Sequence, residues 1–469
     1  LVPVLALVVG AVVIALVSAG VKDSGRLGAV LAGLAVLAAA ASCFMSWGQR
    51  LTAFGMVSLD GFSLYLSATI LVGAALTISV AHAALSRESL DRGEFYALLL
   101  LSTAGALLMV ATRHLVLLFI ALETMSVGVY ALSGWARGRA DSLEAALKYF
   151  LYGAFASGFL LYGIALFYGL SGSGDLARIE ASLASVSGSR GLLPVAALVL
   201  VLVGLAYKIA AVPFHLWAPD VYEGAPTSVT AFMAVAVKAA AFGALLRATA
   251  SLAPLVVEWQ AALSAVAVLT MTVGNLVAVA QDNVKRMLAY SGVAHAGYLL
   301  VGVVAGGEAG RTAVLYYLLS YTFMTFGAFA AAIAMGREGN ENLSIRNWGG
   351  LGWKYPLTGF TMAIFMLALA GVPPTAGFFG KFALFNAAVK EGHIGLVLVA
   401  VANTVVSVYY YLRVIMLLYL GRPSPDPELP RLDWRLGAPL VLSAFLTVYL
   451  GLRPAGWLAL ARRAALELF

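Results

Sequence analysis

Apolar stretches of about twenty residues, the length a helix needs to cross the hydrocarbon of a membrane, follow one another along almost the whole of this sequence. None of them alternates strictly in polarity over ten residues, so a β-barrel is not expected. In lipid every backbone amide and carbonyl must find its partner inside the protein, which leaves a helical bundle. The 469 residues are 62% hydrophobic and 11% charged, against about 25% charged in an ordinary soluble domain. The sequence therefore reads as an all-α polytopic membrane protein, one transmembrane domain over residues 1–469. Counting the apolar stretches gives about fourteen transmembrane helices joined by short loops.

The first run, Leu1 to Ala19, has no basic leading segment, and more apolar sequence follows at once, so it reads as a first span rather than a signal peptide. The net charge of +7 does not call for nucleic acid, because lysines and arginines between spans set topology. Those in alternate loops divide fourteen to ten. The larger set, which includes Lys22, Arg26, Arg87, Arg337, Arg431 and Arg435, is expected on the cytoplasmic side, with both termini outside. The smaller set includes Arg190 and Arg247. The single cysteine, Cys43, excludes a disulfide framework or a thiolate metal cluster.

Against this background one stretch stands out. "YKIAAVPFHLWAPDVYEGAPT", Tyr207 to Thr227, places Lys208, His215, Asp220, Glu223 and three prolines directly after an apolar run. Pro213, Pro219 and Pro226 remove backbone donors and break the helix. Freed carbonyls at membrane depth are tolerated only where they line a cavity or meet partners. The string "AAVP" (Ala210–Pro213) returns as "AGVP" (Ala370–Pro373) in the second half, again late in an apolar segment. A pair of proline-interrupted spans in corresponding halves points to a transporter built from repeats.

Four ionisable residues lie well inside predicted spans: Glu123, Lys208, Lys238 and Lys381. Each costs about 2.5–3.5 kcal/mol at the bilayer centre, about 10 kcal/mol together, as much as the whole net stability of a typical protein. They must face the bundle interior, pair, or meet water. Arg413, His82 and His114 lie nearer span ends and read as structural. Burial penalises a charged lysine and a nearby carboxylate restores it, so three buried lysines and a glutamate suit the holding and release of protons. His215 fits either a proton relay between Lys208 and later groups or a ring bonded to the broken backbone. No dinucleotide loop, phosphate loop, haem, iron–sulfur or metal pattern is present; Gly380-Lys381 is followed by Phe382, not Ser or Thr. No cofactor or metal is expected in this chain, and energy would arrive from partners or an ion gradient.

"PFHLWAPDVYEGAPTSVTAF" resembles the antiporter-like subunits of respiratory complex I, the proton-translocating NADH–quinone oxidoreductase, and most of all their subunit N branch. "ALETMSVGVYAL", "SLEAALKYFLYGAFASGFLLYGIALFYG", "QDNVKRMLAYSGVAHAGY" and "LALAGVPPTAGFFGKF" extend the resemblance from about Glu94 to Lys390. It implies fourteen transmembrane helices with two inverted five-helix repeats, here 94–250 and 255–420, whose seventh and twelfth helices are broken. It further implies that Glu123 pairs with Lys208, that Lys238 is the central lysine, and that Lys381 leads to the external side. His215 matches a histidine of the broken seventh helix, Lys148 a lysine near the proton uptake route, and His295 a tenth-helix position with no clear role.

The implied partners are other membrane subunits, with antiporter-like subunit M and small subunit K as neighbours, besides lipids and protons. NAD, FMN, iron–sulfur clusters and quinone belong to partner subunits, and the location is the bacterial plasma membrane. Lys381 stands where subunit M usually carries glutamate, and the chain ends soon after its last span, where subunit L continues into a lateral helix. The alternative is a subunit of a multisubunit sodium–proton antiporter.

Overall fold

The computed structural model describes residues 1–21, 23–185, 191–336, 341–422, 429 and 432–468. Of the basic residues counted for topology, Lys22, Arg190, Arg337 and Arg431 lie outside the described residues. Helices α1 (Val2–Gly20) and α2 (Gly25–Met45) lead into a hairpin of β1 (Leu51–Ala53) and β2 (Val57–Leu59), in which Leu51 pairs with Leu59. Then come α3 (Gly61–Ser86), α4 (Gly93–Ala111), α5 (Leu115–Ser133), α6 (Ala140–Ser171), the short α7 (Leu176–Ser185) and α8 (Leu192–Lys208). The proline-rich stretch holds α9 (Trp217–Gly224). Next, α10 (Thr227–Phe232) runs through a π-helical turn, Met233–Val237, into α11 (Lys238–Ser251). The second half consists of α12 (Val256–Val279), α13 (Val284–Ala305), α14 (Gly307–Ala334), α15 (Leu351–Lys354), α16 (Pro356–Ala370), α17 (Ala376–Lys390), α18 (Ile394–Leu420), α19 (Trp434–Leu452) and α20 (Pro454–Leu466).

This is the all-α polytopic class expected from the hydropathy. Among the described residues, twelve helical segments are long and apolar enough to cross a membrane. Two further apolar helices, α8 and α16, are shorter. Each is the first half of an interrupted segment, resumed as α9 and α17. Ala210 takes a left-handed φ of 58° three residues before Pro213, and Gly371 takes 88° three residues before Pro374. The two breaks therefore correspond one residue out of register with the four-letter echo. An alanine holds at the first break a conformation that glycine adopts without a steric penalty at the second.

Helices alternate in direction, so the α1–α2, α3–α4, α5–α6, α9–α10, α12–α13 and α14–α15 connections share one end of the bundle. The β-hairpin marks the other end. The segment from α10 to α11, with α13 and α14, is almost wholly buried, whereas α1 and α2 turn most of their apolar surface outward. Close packing depends on small residues: a Cβ on Gly105 of α4 would sit 2.8 Å from the Ala121 carbonyl of α5. At the hairpin end Asp60 caps α3, accepting from the Ser63 amide at 2.8 Å. Its carboxylate also binds the buried Arg247 guanidinium at 3.0 and 3.1 Å, and Arg247 reaches the Leu468 carbonyl at 3.1 Å. That clasp fixes α20, a helix beyond the last predicted span, against α3 and α11.

Candidate functional site

Lys208 is the last residue of α8, where the backbone leaves the helix. Its side chain is only 3% exposed, and its Nζ has no hydrogen-bond partner. Three tyrosine rings surround it instead, with centroids at 5.1 Å (Tyr130), 5.1 Å (Tyr149) and 5.6 Å (Tyr207). The cage is rigid. Trp217 stacks on Tyr149 at 4.4 Å and donates to the Tyr207 carbonyl at 3.1 Å, while the Tyr207 hydroxyl donates to the Tyr149 carbonyl at 3.0 Å. Helices α5, α6, α8 and α9 each supply one wall. The turn out of the helix is closed locally, the Ala211 amide donating to the Ala206 carbonyl at 2.9 Å. The Val212 amide is met by Thr270 of α12 at 3.0 Å.

Glu123, on α5, is the acid whose charge acts on Lys208. The direct pairing implied by the resemblance is not formed, because no ion pair within 4.0 Å joins the two among the described residues. Glu123 accepts instead from the Ser157 hydroxyl of α6. The lysine sits in an aromatic cage, with the Glu123 charge acting on it from beyond ion-pair distance.

The other two buried lysines are held differently. Lys238 follows the π-helical turn and donates to the Gly292 carbonyl of α13 at 2.5 Å, with the Tyr321 ring 5.4 Å away. Lys381 of α17 donates to the carbonyls of Leu369 and Ala370 at 3.0 and 3.1 Å. These belong to the last turn of α16, so the second break supplies its lysine with acceptors where the partial negative charge of a helix end lies.

Between Lys238 and Lys381 stands His295, 1% exposed. Its Nδ1 meets the Tyr317 hydroxyl at 2.5 Å and its Nε2 the Tyr411 hydroxyl at 3.0 Å. The ring touches Tyr321, which faces Lys238, and Tyr298, whose ring lies 4.8 Å below the Lys381 ammonium. A line of ring contacts through His295 thus joins the two lysines. His215 lies in the α8–α9 break, 7% exposed, with Nδ1 unpartnered and its ring edge-on to Tyr290 of α13 at 6.5 Å.

Lys148 is not in the cage. It is half-buried and bridges Glu144 and Asp220, both at 2.6 Å. Asp220 also takes Arg286 at 2.9 Å, and Glu223 takes Arg286 at 2.7 Å and Asn283 at 2.8 Å. The acids of the "WAPDVYEG" stretch therefore bind α9 to α6 and α13 at the α1–α2 end. Beside them Glu341 binds the fully buried Lys285 at 2.9 Å and the Thr227 amide and hydroxyl at 3.1 and 2.6 Å. Arg413 pairs with Asp282, which also holds Arg346, and His82 with Asp91. Both ion pairs lie near span ends.

The family model described as NADH:quinone oxidoreductase/Mrp antiporter, TM, matches residues 112–407, which carry the three lysines, Glu123, His215 and His295. The chain belongs to this family. A curated relative named NADH-quinone oxidoreductase subunit N, from Trichlorobacter lovleyi, is 44% identical over 450 residues, covering 94% of this chain and 91% of its own. A chain of the structure of respiratory complex I from Thermus thermophilus with bound aureothin superposes with TM-score 0.84 at 38% identity, covering 97% of this chain and 98% of that one. A chain of the Mrp complex from Dietzia sp. DQ12-45-1b gives TM-score 0.88 at 26% identity, covering 99% and 96%. The superpositions rank the two assemblies one way and the identities the other. Backbone likeness is common to this antiporter family, so side-chain identity is the better discriminator, and it places the chain with the subunit N members.

Proposed function

We propose that this chain is the proton-translocating, non-redox membrane subunit N of an NADH–quinone oxidoreductase, driven by quinone reduction in neighbouring subunits. The observation that carries the reading is Lys208: a buried ammonium at a helix break, with no acceptor, beside a carboxylate held by another residue. Bringing Glu123 to about 4 Å would stabilise the charged lysine by about 4 kcal/mol at an effective dielectric of about 20. Moving one proton against about 200 mV takes about 4.6 kcal/mol. Making and breaking this one pair is on the scale of the work required. A proton released from Lys208 passes by His215 towards α13, then through Lys238 and His295 to Lys381 and out. Lys148, tied to Asp220, lies on the uptake side.

On this reading residues 94–250 and 255–420 are two inverted repeats, each with one broken helix. Subunits M and K are the neighbours, and NAD, FMN, iron–sulfur clusters and quinone reside in other chains. The protein lies in the bacterial plasma membrane with both termini outside. The test is Lys208→Ala in the intact complex reconstituted into liposomes, following NADH oxidation and proton uptake together. Fewer protons per NADH supports the reading; an unchanged ratio overturns it. The likeness to the Mrp complex supports a second reading, sodium–proton exchange through the same residues. Sodium-driven proton flux without NADH would favour it.

A further inference from the structure

A groove of about 740 Å³ opens on the outer surface between α2, α3 and α19, away from the buried lysines. Its mouth lies at the α1–α2 end, where Arg26 stands in the first turn of α2, His82 in the last turns of α3 and Arg435 in the first turn of α19. Its inner walls are apolar, with Val30, Leu76, Ile78 and Leu442, and Val30 and Leu442 are 54% and 48% exposed.

The geometry points to a binding site for one anionic phospholipid, its phosphate at the mouth and its glycerol and upper acyl chain along the groove. Arg26 has no ion-pair partner among the described residues. Asp91 engages Nδ1 of His82 at 2.6 Å and also takes the Tyr96 hydroxyl at 2.7 Å, which leaves Nε2 of His82 as the free ring nitrogen. Arg435 lies over Trp434, 73% exposed, and its ion-pair partner among the described residues is Asp433 at 4.0 Å. Two guanidiniums gather at the mouth, while Asp91 is taken by His82 and Tyr96 and Asp433 caps α19 through the Arg435 amide, so a phosphodiester there meets two cationic donors. Exposed Trp and Arg at helix ends mark headgroup depth, and basic pockets between spans on the basic-rich side suit anionic headgroups.

Depth separates a lipid from a partner's helix. From Arg435 to Leu442, or from His82 back to Ala75, the groove runs two turns, about 10 Å at about 1.5 Å per residue. A crossing helix needs a seat of about 30 Å. Ten ångströms suits a glycerol backbone and the first half of an acyl chain.

The test uses the membrane assembly isolated with this chain, placed in nanodiscs doped with phosphatidylglycerol bearing a photoreactive acyl chain. Adducts are expected on the peptides carrying Val30, Leu76 and Leu442. Arg26→Gln with Arg435→Gln should lower their yield by roughly 30-fold, while the paired Lys substitutions retain it. Leu442→Trp, which fills the groove and leaves the charges, should also block labelling. Unlabelled phosphatidylglycerol should compete, and neither phosphatidylcholine nor inorganic phosphate should. Labelling indifferent to both the Gln pair and Leu442→Trp would overturn the site. So would equal competition by phosphatidylcholine, or cross-links from the groove to another polypeptide in place of lipid.

Discussion

The ammonium of Lys208 stands 5.1 Å from the ring centroid of Tyr149, and neither that ammonium nor the Tyr149 hydroxyl has a hydrogen-bond partner. The ring therefore serves Lys208 through its π face and not through its oxygen. A desolvated cation–π contact is worth about 2 kcal/mol. Tyr149→Phe is expected to keep proton translocation near the wild-type level. Tyr149→Leu removes the face and the stack on Trp217, and should lower coupled turnover by roughly 10–30-fold. Parallel measurement of NADH oxidation and proton uptake in liposomes checks both.

Lys381 offers the opposite arrangement, a lysine whose acceptors are two carbonyls at a helix end. An arginine would keep the charge and find the same acceptors, but a guanidinium does not release its proton at accessible pH. Lys381→Arg should assemble and retain its thermal midpoint while proton output falls at least about tenfold, one pK-unit's worth of lost exchange or more. Normal pumping by this variant would remove Lys381 from the path.

The spans were legible because lipid imposes a hydropathy length on each of them. Gly61–Ser86 and Ile394–Leu420, of 26 and 27 residues, are such spans. Helices outside that rule were not legible. Amphipathic α7 is only 10 residues long, α9 is buried among prolines, and α20 follows the last helix of membrane-spanning length. The buried lysines stood out as charges in apolar sequence. Their surroundings did not, because Tyr130, Tyr149 and Tyr207 come from three helices and look like ordinary membrane aromatics. The same is true of His295: only the fold brings Tyr317 and Tyr411 to its two nitrogens. The distance between Glu123 and Lys208 is also set by tertiary packing, through Ser157 on a neighbouring helix.

His295 holds two tyrosine hydroxyls, so one ring nitrogen donates and the other accepts while the ring is neutral. Replacing it with Ala removes the partner of the Tyr317 hydroxyl, at about 1–3 kcal/mol, while the Tyr411 hydroxyl keeps Ser291 at 2.5 Å. His295→Gln can keep hydrogen bonds yet cannot exchange a proton. The expected result is a thermal midpoint closer to wild type for Gln than for Ala, with protons per NADH depressed in both. A Gln variant that pumps normally would show that His295 only braces the cluster.

Glu341 lies in the loop after α14, outside the spans, and contacts three other segments. Burial alone would raise its carboxyl, but the Lys285 ammonium, the Thr227 hydrogen bond and Arg139 outweigh it and hold the group below its ordinary value. A carboxyl depressed on folding stabilises the protein above its unfolded pKa of 4.5 and loses that contribution as pH falls through the lower, folded value. Glu341→Gln leaves the fully buried Lys285 with neutral acceptors only, the amide oxygen and the Ala225 carbonyl at 2.7 Å. Breaking a buried pair in this way typically costs about 3–5 kcal/mol. The variant should melt well below wild type near neutrality, and the gap should be constant down to about pH 5 and narrow below it. Thermal midpoints of both proteins across that range decide the matter. A gap that persists unchanged in acid would mean that the loss does not come from the Glu341 charge.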